Sequence, residues 1–167
     1  MARASRQTLV ISPFRFQPNL SHSHNQMKPM SIEHFSEVEQ HVYRFWSAMD
    51  RRDYSALLAC LTERCRWLRG AMIEGHAAIL SALEARPSNL TTRHLVNNMI
   101  VDAIDDGVLA RYLLTTYTHI ATDNDSPPYD CALPGLIADI TMRCVHSGTR
   151  VLIDLIEPTI VFRRSGH

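Results

Sequence analysis

The chain has 167 residues, 46% of them apolar and 20% charged, with 17 basic and 17 acidic side chains that balance to zero. That length suits one globular domain with a real core and falls short of two ordinary ones. Zero net charge removes the electrostatic case for nucleic acid or an anionic membrane as partner, and the sequence holds no run of about 18 apolar residues that could cross a bilayer.

The charge is unevenly placed. Residues 1–31 carry Arg3, Arg6, Arg15 and Lys28 and no acid, so the remainder holds 13 basic against 17 acidic residues, a charge of −4. Residues 1–30 are rich in Ser, Pro, Asn and Gln and lack apolar periodicity. They read as a disordered tail or the result of a misplaced start, with Met27 and Met30 as later starts. Organelle targeting is the alternative, and a cytoplasmic location is the expectation. His22 and His24 are two metal-type ligands in that tail, too few for a site. The domain proper is expected over 31–164.

From Ser31 the pattern becomes helical. Phe35, Val38, Val42, Phe45 and Met49 recur at 3, 4, 3 and 4 residues, one face of a helix over about 32–50 with Ser31 as N-cap. Asp50, in the last turn, shares a stripe with Trp46 and Tyr43 beside that core stripe. It can therefore point toward a packed sheet or pair with Arg51 or Arg52. Asp53 reads as the N-cap of a short second helix. Residues 61–69 read as a strand, and Gly70 and Gly75 bracket a turn and a sheet edge. AAILSALEAR, about 76–86, reads as a third helix stopped by Pro87, with His76 at the surface.

The rest is β. Residues 91–104 and 108–121 are long, β-rich runs around Asp105-Asp106-Gly107, and 135–145 and 150–162 flank His146-Ser147-Gly148 as a second hairpin. Helices followed by antiparallel strands define the α+β class. The expected architecture has three helices in the concave face of a curved, mostly antiparallel sheet that encloses a pocket. Cys60, Cys65, Cys131 and Cys144 lack metal spacing and read as reduced thiols. No metal or cofactor is expected.

Hairpin arithmetic suggests a site. With Asp106-Gly107 as the turn, Asp105 faces Val108, and His94 then faces His119. Val96–Tyr117, Asn98–Thr115, Ile100–Leu113 and Asp102–Arg111 share that face. Two histidines whose Cβ atoms lie about 5 Å apart are not easily both charged. One would stay neutral as a general base and its partner would serve as an acid. Asp50 would hold one histidine nitrogen, orienting the ring. Tyr43, Trp46, Tyr54, Trp67, Asn98 and Tyr117 are the expected substrate-binding residues. Phe45 joins the pocket lining, although aromatics at helical spacing also simply fill cores.

FWSAMDRRDYSALLACLTERCRW, IEGHAAILSALEARP and TTRHLVNNMIVD together resemble the SnoaL-like branch of the nuclear transport factor 2-like superfamily, over about residues 33–164. The resemblance implies a cone of three helices in a sheet of four to six strands, and a homodimer formed through the sheet. It covers scytalone dehydratases, ketosteroid isomerases, polyketide cyclases and epoxide hydrolases. Asp50, His94 and His119 match the helix Asp and two strand histidines of the dehydratases. Met49 stands where those enzymes have a tyrosine, so a carbonyl-polarising tyrosine must come from Tyr43, Tyr54 or Tyr117. The resemblance thus implies a cofactor-independent lyase or isomerase acting on a small hydrophobic, oxygenated cyclic substrate. Small subunits of aromatic-ring dioxygenases share the RHLxxN strand, so a non-catalytic binder or partner subunit is the rival expectation.

Overall fold

A computed structural model describes residues 31–130, 133–148 and 150–164. The tail of residues 1–30 and Cys131 lie outside the described residues. The elements are α1 (Ile32–Arg51), α2 (Tyr54–Leu58), β1 (Leu61–Arg69), β2 (Ala71–Glu74), α3 (Gly75–Glu84), β3 (Leu90–Ile104), β4 (Gly107–Ile120), β5 (Leu136–Ser147) and β6 (Arg150–Arg163). Ser31 accepts a hydrogen bond from the His34 N–H at the start of α1, and Asp53 accepts from the Ala56 N–H at the start of α2. Both caps act as their residue types dictate. Helix α1 ends at Arg52, whose left-handed φ of 57° turns its N–H back onto the Ala48 and Met49 carbonyls.

The six strands form one open mixed sheet in the order β2-β1-β6-β5-β4-β3. All neighbours run antiparallel except β1 and β6, which run parallel. Val38, Val42, Phe45 and Met49 of α1 are buried against this sheet, as their spacing predicts. Phe45, Trp46 and Trp67 meet edge to face, with centroids 5.0, 5.4 and 6.4 Å apart, and occupy the interior. Such pairs contribute roughly 0.5–1.5 kcal/mol each beyond simple burial.

The β3–β4 hairpin departs from the arithmetic above. Ile104 pairs with Gly107, so the turn residues are Asp105 and Asp106. Gly107 is instead the first residue of β4, and only glycine fits there beside β5: a Cβ would lie 2.0 Å from the Cys144 carbonyl oxygen. The second departure is a bulge. Asn97 pairs with Leu113 and Ile100 with Arg111, so Asn98 and Met99 together oppose Tyr112 alone. Asn98 takes a left-handed φ of 53°, a conformation that asparagine tolerates better than most residues.

The bulge switches which residues face the core. Val108, Ala110, Tyr112, Leu114 and Thr116 of β4 are all buried. Across from them lie Ala103 and Val101 on one side of the bulge and Val96 and His94 on the other. His94 therefore faces inward, opposite Thr116. His119 pairs with Thr91 and, three residues beyond Thr116, points to the outer face. The expected His94–His119 pair does not form. The ion pair that supported that register is real, since Arg111 donates to Asp102. It runs diagonally, however: Asp102 pairs with Leu109 and Arg111 with Ile100. A diagonal contact is within reach of long side chains in either register.

Candidate active site

Asp50 and His94 come together. The His94 Nδ1 lies 2.6 Å from one Asp50 carboxylate oxygen, and the backbone N–H of His94 donates to the other at 2.9 Å. One carboxylate thus grips both the ring and the main chain of the same residue. In its neutral form the ring then carries its proton on Nδ1, toward the carboxylate, and its lone pair on Nε2. The Thr92 hydroxyl adds a third bond to Asp50, at 3.1 Å. Both side chains are largely enclosed, at 12% and 9% exposure for Asp50 and His94. Burial pushes the Asp50 pKa up. The His94 ring bond, the His94 backbone bond, the His94 charge and the Thr92 bond outweigh it and leave the carboxyl below its ordinary value. The same bonds answer the cost of a carboxylate at a helix C-terminus.

The chain on either side is strapped in place. Arg86 donates to the Thr92 hydroxyl at 2.9 Å and to the Met49 carbonyl at 3.2 Å. It therefore joins the last turn of α1 to the strand that carries His94. Arg52 donates to the Leu90 carbonyl at 2.9 Å and to the Pro87 carbonyl. The Tyr54 hydroxyl donates to the Leu83 carbonyl at 3.0 Å and lies 3.5 Å from Arg52. These straps hold Asp50 against His94. The indole of Trp46 lies over the imidazole, with centroids 4.6 Å apart and planes tilted 30°. Its N–H donates to the buried Tyr112 hydroxyl at 2.8 Å. Burial drives the Tyr112 hydroxyl pKa well above its usual value, so this tyrosine stays protonated.

The other expected site residues lie elsewhere. His119 is paired with Asp125 at 3.2 Å and stacked on Tyr129, with centroids 4.2 Å apart. Together with Tyr117, Arg93 and Pro127 it lines a separate hollow of about 210 Å³. Tyr43 is exposed and donates to Glu39. Tyr54 belongs to the straps, Asn98 is exposed at the bulge, and Trp67 is in the core behind Trp46. His76 is no surface residue: its Nε2 is buried without a hydrogen-bond partner among the described residues. Cys60, Cys65 and Cys144 are buried free thiols, and burial pushes Cys65 and Cys144 up to about 12. Among the described residues no three His, Cys, Asp or Glu side chains gather as metal ligands, and no helix is long and apolar enough to cross a membrane.

Thr92, Arg86 and Tyr112 were not singled out from sequence. Thr92 carried a signal, since it lies two residues before His94 and so shares its face. Arg86 carried none.

With the fold and this geometry in hand, comparison defines the class. The chain matches the SnoaL-like domain over residues 30–133 and belongs to that family. No curated protein matches it at a significant level. Its fold is similar to that of several solved structures. Aln2 from a Streptomyces species is 22% identical, with a TM-score of 0.69 over 80% of this chain and 94% of that one. A Catenulispora acidiphila protein in complex with S-DNPA is 18% identical, with a TM-score of 0.66 over 78% and 95%. A Novosphingobium aromaticivorans protein, named as a candidate scytalone dehydratase, is 14% identical, with a TM-score of 0.67 over 80% and 87%.

Proposed function

We propose that this SnoaL-like protein is a cofactor-independent lyase or isomerase that moves protons on a small hydrophobic, oxygenated cyclic compound. The Asp50–His94 dyad is the observation that carries this reading: a carboxylate orients an imidazole so that Nε2 is a free base. In the dehydrating form, Nε2 takes the proton from the carbon next to the substrate carbonyl. The electron pair of that C–H bond enters the enolate, then forms the new C=C bond as the β-hydroxyl leaves. The Nε2 proton passes to the departing hydroxyl, which leaves as water.

Since His119 faces the other side of the sheet, His94 is the imidazole available for both transfers. Both bonds would then break on one face of the substrate. In the isomerase form, the same nitrogen returns its proton to a second carbon. Proton transfer by a positioned side chain contributes about 10²–10⁴-fold. The test is to incubate the protein with cyclic β-hydroxyketones in deuterium oxide and to follow exchange and water loss by NMR. Turnover that disappears in His94→Ala while the fold persists is the expected result. Undiminished turnover in that variant overturns the reading.

The outer face of the β3–β4 ribbon carries Leu95 and Ile100 at 50% and 57% exposure. Both belong to β3, the strand at the open edge of the sheet, where unpaired backbone groups invite a partner strand, and we propose a second copy of the chain as that partner. Light scattering should give the dimer mass for the wild type and the monomer mass for the Leu95→Lys, Ile100→Lys variant. A monomeric wild type refutes the assignment.

A further inference from the structure

A second hollow, of about 390 Å³, lies away from the dyad, between α1, the α2–β1 junction and the start of β6. Its volume falls in the range of small-molecule sites. Glu37, His41, Arg44 and Arg51 line it from α1, at spacings of four, three and seven residues, which places them on one stripe of the helix. Arg150 closes the far wall. Its guanidinium donates to the Ala59 carbonyl at 2.9 Å, which anchors it at the rim.

The charge here runs against the rest of the domain. Residues 32–167 are net −4, yet three guanidinium groups and one carboxylate meet at this hollow, a local excess of +2. Arg64, Arg111 and Arg143 each find a carboxylate. Arg44, Arg51 and Arg150 form no ion pair among the described residues. His41 adds no charge of its own. Its Nε2 bonds the Cys60 carbonyl at 2.9 Å, and burial, then the fields of Arg44 and Arg150, hold its pKa below the usual value. Gathering like charges costs free energy unless a counter-charge joins them. Guanidinium forks match phosphate oxygens two at a time, and an excess of +2 matches a phosphate dianion.

We propose that this hollow binds the phosphate group of a small organic phosphate, with Arg44, Arg51 and Arg150 as its ligands. The test uses the full chain and amide NMR. Phenyl phosphate, inorganic phosphate and potassium chloride are titrated at matched ionic strength. Phenyl phosphate should give saturable shifts at residues 41–60 and 150–151, and should bind more tightly than inorganic phosphate because the hollow has room beyond one phosphate group. Arg44→Gln with Arg150→Gln should weaken binding on the order of tenfold or more, as expected for lost charge-assisted bonds. Arg64→Gln, an exposed side chain of β1 outside the hollow, should change nothing. If the double variant does not fold, Arg51→Gln alone should weaken binding severalfold. Shifts reproduced by chloride, or affinity unchanged in the arginine variants, overturn the site. Equal affinity for the two phosphates overturns the organic ligand and leaves free phosphate.

Discussion

The Asp50 carboxylate holds His94 twice, by the ring Nδ1 at 2.6 Å and by the backbone N–H at 2.9 Å. The ring can neither turn about its bond to the strand nor exchange tautomers without breaking a short bond. Asp50→Asn keeps the shape and presents an amide in place of the carboxylate. An amide nitrogen facing Nδ1 favours the opposite tautomer and removes the charge that steadies an imidazolium. Turnover should fall by about 10²–10⁴ in the NMR exchange assay with little change in secondary structure. Retained turnover would mean that the carboxylate is only structural.

The same carboxyl makes stability depend on pH. Its folded pKa is depressed while its unfolded value is ordinary, about 3.9. Its contribution is therefore fully present above about pH 4 and is lost as pH falls through the folded value. Urea unfolding of the wild type and Asp50→Asn should show the widest gap near neutral pH and a shrinking gap below pH 4. A gap that is constant down to pH 2 would contradict the bonding described.

Thr92 links Arg86 to Asp50. Thr92→Val preserves shape and removes the hydroxyl. It should cost about 1–3 kcal/mol in urea unfolding, because the arginine and the carboxylate each lose a partner in a half-buried place. Combined with Arg86→Gln, the losses should be less than additive by roughly 0.5 kcal/mol or more. Strict additivity would show that the two side chains act separately.

The bulge is a test of backbone preference. Asn98→Gly should be near neutral, since glycine takes left-handed φ freely. Asn98→Val should destabilise by roughly 1–2 kcal/mol, since β-branching is poorly tolerated there. Equal stability of the two would mean that the left-handed turn is absent in solution.

His119→Ala separates the two histidines. Turnover should be unchanged, while amides 122–130 exchange faster with solvent once the bond to Asp125 and the stack on Tyr129 are gone. Activity falling as far as in His94→Ala would return His119 to the reaction.

The helices were legible because their signals are local. The α1 stripe, the Ser31 cap and the Asp53 cap each depend on neighbours within a turn or two, and the structure bears them out. The strands were legible by composition, and their pairing order within each hairpin followed from the turns. Register was not legible, for two physical reasons. Gly107 looked like a turn residue, but it is required by the approach of the Cys144 carbonyl from β5, a constraint from elsewhere in the chain. Asn98 looked like a pocket residue, but its polar side chain is exposed and its backbone makes the bulge. The Asp50–His94 pair survived both errors because His94 lies beyond the bulge, on the stretch that faces α1. Arg86 was invisible because its bonds run to a helix end and a hydroxyl that only the folded chain brings close.

One feature of the sheet bears on how the chain is made. β6 lies between β1 and β5, and it is the strand that joins the β1–β2 pair to the β3–β4–β5 meander. On the ribosome both halves emerge before residues 150–163 do. Until then each half presents an open strand edge, a surface on which other chains readily pair. A premature stop near residue 148 would therefore leave two half-sheets with no shared strand, however little of the chain it removed. Asp50 and His94, which both precede that point, would be synthesised without the strand that ties their surroundings into one sheet.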